Sequence, residues 1–256
     1  MDRSSFDVDR FRSALETERL GRPFRWLEAC ASTMDEAHAD LEAGAPDGAL
    51  VLADAQSEGR GSRGARWESR GGENLTFSFV LRQRPGGATL TLAVGLGLAR
   101  AVDGLLERPG AARVKWPNDV WVGEPAKKLA GILVEARSAG GRAPKGQVVG
   151  VGLNVNQMAF PPGLLATSLA LEAGRAFERE TVLAALLREL EAALRLLEDP
   201  AAVARAVEER LLWRGEEVEA GALQGRLTGL GPDGALLLRT RHGPREVRAG
   251  RVRPAS

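Results

Sequence analysis

The stretch VKWPNDVWV, Val114 to Val122, decides how this chain is read. Two short apolar runs flank a polar turn, Trp116-Pro117-Asn118-Asp119. Pro117 confines the residue before it to extended geometry. Asn118 and Asp119 then either fix a local turn or face a ligand. The run KKLAGILVEAR, Lys127 to Arg137, follows, and in it Gly131 allows another backbone to approach closely. Further on, VVGVGLNVN, Val148 to Asn156, carries glycines at 150 and 152 and Asn154 near its end. These patterns predict short strands over Arg113–Trp116 and Val120–Val122, and longer ones over Lys128–Arg137 and Gly146–Asn154. Taken singly, Asn-Asp is an ordinary turn, a lysine an ordinary solvated charge and a strand glycine an ordinary bulge. Their order and spacing together are harder to explain that way.

Upstream lies EGRGSRGARWESRGGEN, Glu58 to Asn74, with four arginines and five glycines around Trp67. Glycine permits positive φ and close approach, and arginine offers a planar fork of donors suited to phosphate or carboxylate. The combination suggests a loop that wraps an anion, with a plain solvated loop as the alternative. A strand (ALVLADAQ) precedes it and another, Asn74 to Arg82, follows. RWLEACAST reads as a strand leading into Ser32 and Thr33, where a hydroxyl cap and first-turn acids open a helix to about Glu42.

Helices are predicted over residues 6–17, 88–107, 164–173, 179–198 and 200–211. Gly95 and Gly97 weaken the second of these locally and imply tight packing against a neighbour. Beyond Trp213 the texture changes to short strands with Gly/Pro/Asp turns, among them Gly231-Pro232-Asp233-Gly234, which fits a type I turn. This tail reads as a small β-barrel, too short to stand alone and therefore docked on the rest.

Composition narrows the function classes. In 256 residues, 35 Lys and Arg balance 34 Asp and Glu, so no global charge argues for nucleic acid or membrane binding. The single Cys30 excludes an intramolecular disulfide, fits a reducing cytoplasm and reads as a spectator thiol. With only His38 and His242, a histidine-based metal site is not expected, and no protein metal ligands are assigned. The N-terminus lacks the apolar region of a signal peptide, and no run approaches a membrane span.

Together these pieces resemble the biotin protein ligase family. The matching residues are Ser32-Thr33, Gln56, the Gly59-Arg60-Gly61 and Arg63-Gly64 loop with Trp67, Lys115-Trp116-Pro117-Asn118-Asp119, Lys128 to Leu133 with Glu135, and Gly150 to Asn154. The resemblance runs from about residue 26 to the end. It implies an α+β fold, a mixed sheet flanked by helices related to the class II aminoacyl-tRNA synthetase core, with an SH3-like C-terminal barrel. The implied domains are a catalytic part over 1–211 and the barrel over 212–256.

The resemblance also implies two half-reactions. Biotin and MgATP form biotinyl-5′-AMP, and biotin then passes to one lysine of a biotin carboxyl carrier protein. Lys128 is then expected to bridge the biotin carboxylate and α-phosphate, and Arg60 to hold either anion. Arg63 is a candidate for the ATP phosphates, and Trp67 is expected beside the adenine or ribose. Ser32, Thr33 and Gln56 would bond the polar ends of biotin, while the backbones at Gly131, Gly150 and Gly152 line its ring slot. Gly59 and Gly61 let the loop fold down, Asn118 and Asn154 face the nucleotide, and Asp119 orients or deprotonates the acceptor lysine.

Three positions depart from the pattern: Ser62 and Ala65 replace basic loop residues, and Met34 stands where asparagine is common. About 25 residues precede Trp26, too few for a helix-turn-helix, so a ligase without a DNA-binding domain is expected. Localisation is expected to be cytoplasmic, with no membrane partner, and a homodimer is among the assemblies considered. A lipoate or octanoate attachment enzyme shares the acyl-to-lysine logic, but KWPND and the tail favour biotin. An RNA-binding module would need more stacking aromatics and fewer acids near the loop than Glu58 and Glu68 allow.

Overall fold

The computed structural model describes residues 5–68, 71–82, 86–137 and 145–255. Ser69 and Arg70 of the Arg/Gly stretch lie outside them. A seven-stranded mixed sheet forms the centre, in the order β1-β2-β3-β7-β6-β5-β4. Its strands are β1 (Phe24–Cys30), β2 (Leu50–Gln56), β3 (Leu75–Leu81), β4 (Arg113–Lys115), β5 (Asp119–Val122), β6 (Lys127–Glu135) and β7 (Gln147–Leu153). β1 and β2 run parallel and every other neighbouring pair is antiparallel.

β3 is buried along its whole length because helices cover both faces of the sheet. Period-two alternation sorts its side chains. Phe77 and Phe79 join the main core with α3 (Ala88–Leu106) and α5 (Arg179–Arg195), whereas Val80 joins Met34, Ala37, Leu41 and Val148 under α2 (Thr33–Glu42). α2 is only ten residues long. It covers part of that second face, and the glycine-bearing segments of β6 and β7 carry on beyond its N-terminus.

α3 meets the length and composition of a membrane-crossing helix, contrary to the expectation that no run would, yet most of it is buried inside this core. The tight packing expected at Gly97 is present. A Cβ there would stand 2.9 Å from the Leu190 Cα and 3.0 Å from the Glu189 carbonyl oxygen, so α3 and α5 touch backbone to backbone.

Of the expected helices, those over 6–17 and 164–173 fall furthest short. α1 spans Val8–Ala14, not 6–17, because the Glu191 carboxylate takes the backbone N–H groups of Glu18, Arg19 and Leu20 and draws the chain out of helical geometry. α4 spans Leu169–Ala173, not 164–173. Lys128 N donates to Leu165 O at 2.9 Å and Thr167 N donates to Lys128 O at 2.9 Å, so this segment runs extended beside β6. Ser168 then caps α4 by accepting from Leu171 N.

The chain after α6 (Pro200–Glu208) forms a second, five-stranded antiparallel sheet, in the order β11-β10-β9-β8-β12. Its strands are β8 (Glu217–Ala220), β9 (Leu223–Leu230), β10 (Leu236–Thr240), β11 (Gly243–Val247) and β12 (Val252–Pro254). Among the described residues no hydrogen-bonded ladder joins β11 to β12, so the sheet stays open. The Gly231–Gly234 turn closes with Gly234 N on Gly231 O at 2.9 Å. Val218, Leu227, Leu236 and Leu238 belong to the same continuous core as α3 and the large sheet. Trp116 Nε1 donates to Gly234 O at 3.1 Å, and Leu212 N donates to Val114 O at 2.9 Å. The tail is fused to the main body by packing, as its small size required.

Candidate active site

A cleft opens on the α2 face of the large sheet, where β3, β7, β6 and β5 meet the N-terminus of α2. Register builds its floor. Gly131 in β6 stands directly opposite Gly152 in β7, and Gly150 is opposite Leu133. Thr76 and Ser78 of β3 pair with Gly152 and Gly150. Removing side chains at facing positions leaves a slot walled by backbone, which only glycine permits.

Ser32 is the N-cap of α2, but its hydroxyl does not cap the helix as expected. It is buried in the cleft wall with no hydrogen-bond partner among the described residues. An unpaired buried hydroxyl is costly, which marks it as a group awaiting a polar ligand. Thr33 donates twice to Gln56 Oε1, from its backbone N at 2.7 Å and its hydroxyl at 3.1 Å, and that hydroxyl also bonds Ser78 Oγ at 2.8 Å. Gln56 is thereby fixed at the end of β2 with its amide group at the cleft.

The Arg/Gly stretch folds as a miniature hairpin. Trp67 N bonds Gly59 O, Gly61 N bonds Ala65 O, and Arg60 pairs with Arg66. The tip turns on Arg63 at φ 58 and Gly64 at φ 74. Gly59 is required by close approach, since a Cβ there would collide with the Trp67 carbonyl. Arg60 reaches the cleft rim, where its guanidinium binds Asp35 bidentately at 2.7 and 2.9 Å. That fork, with burial opposing it and Arg137 assisting, holds the Asp35 carboxyl down at about 2. Arg63 lies off the cleft wall and donates to Gly250 O at 2.7 Å, tying the hairpin to the C-terminal sheet.

Trp67 does not stand apart as a cover for a nucleotide. Its indole lies in the slot: a Cβ on Gly152 would strike it, and a Cβ on Gly131 would come within 3.1 Å of Cζ3. Its Nε1 is buried without a hydrogen-bond partner among the described residues. The remaining cavity is about 40 Å³. That admits a few waters but no bicyclic ring, since even benzene occupies cavities of about 150 Å³.

Lys128 sits at the mouth, its Nζ 5.5 Å from the Trp67 ring centroid and 2.8 Å from Asp119 Oδ1. Asn118 lines the cleft and clasps β6: its Nδ2 donates to Ile132 O at 2.9 Å, and its own carbonyl accepts from Ile132 N at 2.9 Å. Asn154 is buried off the cleft wall. Its Nδ2 donates to Thr167 O at 2.9 Å, so it ties the end of β7 to the extended segment before α4 and does not open onto the cleft as expected. Cys30 ends β1, and burial pushes its thiol up to about 11, as suits a spectator.

Sequence reasoning thus located most of the cleft wall; it named Met34 and Ser62 only as departures from the family pattern and gave no role to Thr76, Phe77, Ile132, Leu133 and Val151, which also line it. Met34 lies over Gly150, where a Cβ would meet its sulfur. It also missed the ion network around Arg60, in which Arg137 bonds both Asp35 and Glu135, at 2.8 and 3.2 Å. Period-two alternation along β3 was the available signal for Thr76. The network gave none, because its members come from three separate elements.

A glycine-floored slot, a basic hairpin and a lysine–aspartate pair on a mixed sheet define an acyl-activating ligase class. The chain belongs to the biotin/lipoate A/B protein ligase family, whose model matches residues 26–154. It is 32% identical over 252 residues to the bifunctional ligase/repressor BirA of Bacillus subtilis, covering 92% of this chain and 75% of that one. It is 35% identical over 203 residues to a biotin–[acetyl-CoA-carboxylase] ligase of Mycobacterium tuberculosis, covering 73% of each. The structure of biotin protein ligase from Aquifex aeolicus in complex with biotin and ATP superposes with a TM-score of 0.79 at 30% identity, covering 93% of this chain and all of that one.

Proposed function

We propose that the chain is a biotin–[biotin carboxyl carrier protein] ligase, which activates biotin with ATP and transfers it to a carrier lysine. The observation that carries this reading is the slot floored by Gly131, Gly150 and Gly152, with the Lys128–Asp119 pair at its mouth. Once the Trp67 indole leaves it, such a slot suits a compact bicyclic ring, with the lysine at its mouth for the carboxylate at the end of the acyl chain. The Aquifex aeolicus biotin protein ligase was solved in complex with biotin and ATP, which supports the same substrates here.

In the first half-reaction the biotin carboxylate attacks the α-phosphorus of ATP. The bond to the β-phosphate breaks, giving biotinyl-5′-AMP and pyrophosphate. Both reactants are anionic, so Lys128 contributes by bringing them together and neutralising charge as it builds. Ser32, through its unpaired hydroxyl, and Gln56, held by Thr33, bond the polar ends of biotin. Arg60 grips carboxylate or phosphate by exchanging its Asp35 carboxylate for the substrate's. Arg63 serves the ATP phosphates, and Trp67, once out of the slot, covers the nucleotide. In the second half-reaction the acceptor amine attacks the acyl carbon and AMP leaves, with Asp119 orienting the amine. Asn118 positions β5 against β6 and faces the nucleotide, and Asn154 acts through the segment it anchors.

Among the described residues no group of three or more His, Cys, Asp or Glu side chains could hold a metal ion. Magnesium would therefore arrive with the ATP phosphates, the way it is usually bound beside one or two carboxylates. The proposal extends to a catalytic part over 1–211 and an SH3-like unit over 212–256, to a cytoplasmic site of action without DNA or membrane partners, and to a homodimer as the assembly to test. The decisive assay is exchange of labelled pyrophosphate into ATP. Biotin should support it and octanoate should not; octanoate-dependent exchange would move the chain to the lipoate branch of the family.

A further inference from the structure

Arg60 holds Asp35, but it does not hold it alone. Asp35 Oδ2 accepts Arg60 Nη1 at 2.7 Å, whereas Oδ1 accepts both Arg60 Nη2 at 2.9 Å and Arg137 Nη2 at 2.8 Å. The same Arg137 nitrogen donates to Glu135 Oε2 at 3.2 Å, and Glu135 Oε1 stands 3.9 Å from Arg60 Nε. Two guanidinium groups and two carboxylates thus close a ring at the cleft rim. Arg60 comes from the hairpin and Asp35 from the first turn of α2; Glu135 ends β6 and Arg137 follows it.

Of these four, only Arg60 lines the slot. Its partner is a carboxylate, the same group that ends biotin's acyl chain, held in the two-pronged geometry that a free carboxylate would adopt. The Arg60 and Asp35 side chains are 34% and 41% exposed. An ion pair so open to water is weak, where a buried one is expensive to break. The contact therefore aims the guanidinium and can still be given up. Breaking it does not leave Asp35 bare. Arg137 already holds Oδ1, and the N-terminus of α2 favours negative charge in its first turn. Glu135 keeps Arg137 as well, so each acid retains a cation after Arg60 turns to the slot.

We infer that Asp35 stands in for the biotin carboxylate on Arg60, and that Arg137 takes Asp35 over when biotin arrives. This rests on the ligase reading above and deepens it: Asp35 and Arg137 are positioning residues that act through Arg60. The exchange puts one carboxylate on Arg60 in place of another, so its cost depends on how well Arg137 keeps Asp35. It also makes the site selective for an acid. A ligand with the same ring but no carboxylate leaves Arg60 on Asp35 and gains nothing from it.

The test is isothermal titration of the full chain, without nucleotide, with biotin and with the primary alcohol that replaces its carboxylate. Both ligands must displace Trp67, so the comparison cancels that cost. Asp35→Asn keeps the shape and removes the competing charge; biotin should bind about three- to fivefold tighter, the range expected of a half-exposed ion pair. Arg137→Gln removes the receiving cation, and biotin should bind weaker by about the same factor. The alcohol should bind both variants as it binds the parent, a result that a general loosening of the hairpin would not give. In the Asp35→Asn background, Arg137→Gln should add little, because no acid is left for it to receive. Unchanged or weaker biotin binding in Asp35→Asn, or equal shifts for biotin and the alcohol, would overturn the exchange and leave the ligase reading standing. A parent chain with neither biotin binding nor biotin-dependent pyrophosphate exchange would overturn the ligase reading, and the exchange with it.

Discussion

If the Trp67 indole holds the slot that biotin needs, biotin must eject it before binding. The cost follows from the contacts. The ring packs on the backbone of Gly152 and Gly131 and lies under Lys128. If roughly 60 Å² of indole leaves contact at about 25 cal/mol per Å², the plug is worth on the order of 1.5 kcal/mol. A ligand that binds only the unplugged form sees its affinity reduced by the population of that form. Trp67→Ala should therefore tighten biotin binding about tenfold when no nucleotide is present. It should also slow adenylate formation, because the same ring is needed to cover the nucleotide. Isothermal titration with biotin alone, followed by single-turnover adenylate formation, separates the two effects. A folded Trp67→Ala protein whose biotin affinity is unchanged or weaker would refute the plug.

Lys128→Ala should leave the fold intact and slow biotin-dependent pyrophosphate exchange by about a hundredfold or more, the usual effect of removing one preorganised charge; near-normal exchange would remove Lys128 from the mechanism. Gly97→Ala forces a Cβ to within 3.0 Å of the α5 backbone and should cost about 1–3 kcal/mol of stability, read as a lower urea midpoint with little change in slope. Removing residues 214–256 takes away Val218, Leu227, Leu236 and Leu238 from a core shared with α3. The shortened chain should lose its cooperative thermal transition, and a sharp transition near the parent temperature would show that the tail is dispensable for folding. His38 is buried beside Glu135 and Arg137, and burial lowers its pKa below the usual value near 6.5. The unfolded chain then takes up this proton first, so the stability His38 contributes is present above pH 6.5 and lost below it. Urea midpoints at pH 7.5 and 5.5 should differ in the parent and differ less in His38→Gln.

Local patterns carried the elements well. Alternation in Leu75–Leu81 and the turn chemistry at Gly231–Gly234 depend on neighbours a few residues away, and both appear as read. Helix ends were less legible. α1 stops early because Glu191, some 170 residues on, claims the N–H groups that a longer helix would need to leave in place. α4 starts late because Lys128 takes Leu165 O for β6. Each error has the same cause: a backbone group whose partner is remote in sequence.

The site divides the same way. Residue type and spacing marked the Asn118-Asp119 turn, the strand glycines Gly131, Gly150 and Gly152 and the Arg/Gly loop, and the resemblance to the biotin protein ligase family singled out Lys128, Asp119 and Arg60 among them. Only the tertiary structure decided that Gly131 faces Gly152, since that depends on the register of β6 on β7. It placed the Trp67 indole between them, turned Ser32 from a helix cap into a cleft hydroxyl, and set Asn154 to hold Thr167. It also closed Trp213 over Lys115, across almost 100 residues of chain. A sequence specifies what a side chain can offer within its own turn or strand; which groups it meets is settled by packing and register, whose energies come from contacts between segments that sequence order keeps apart.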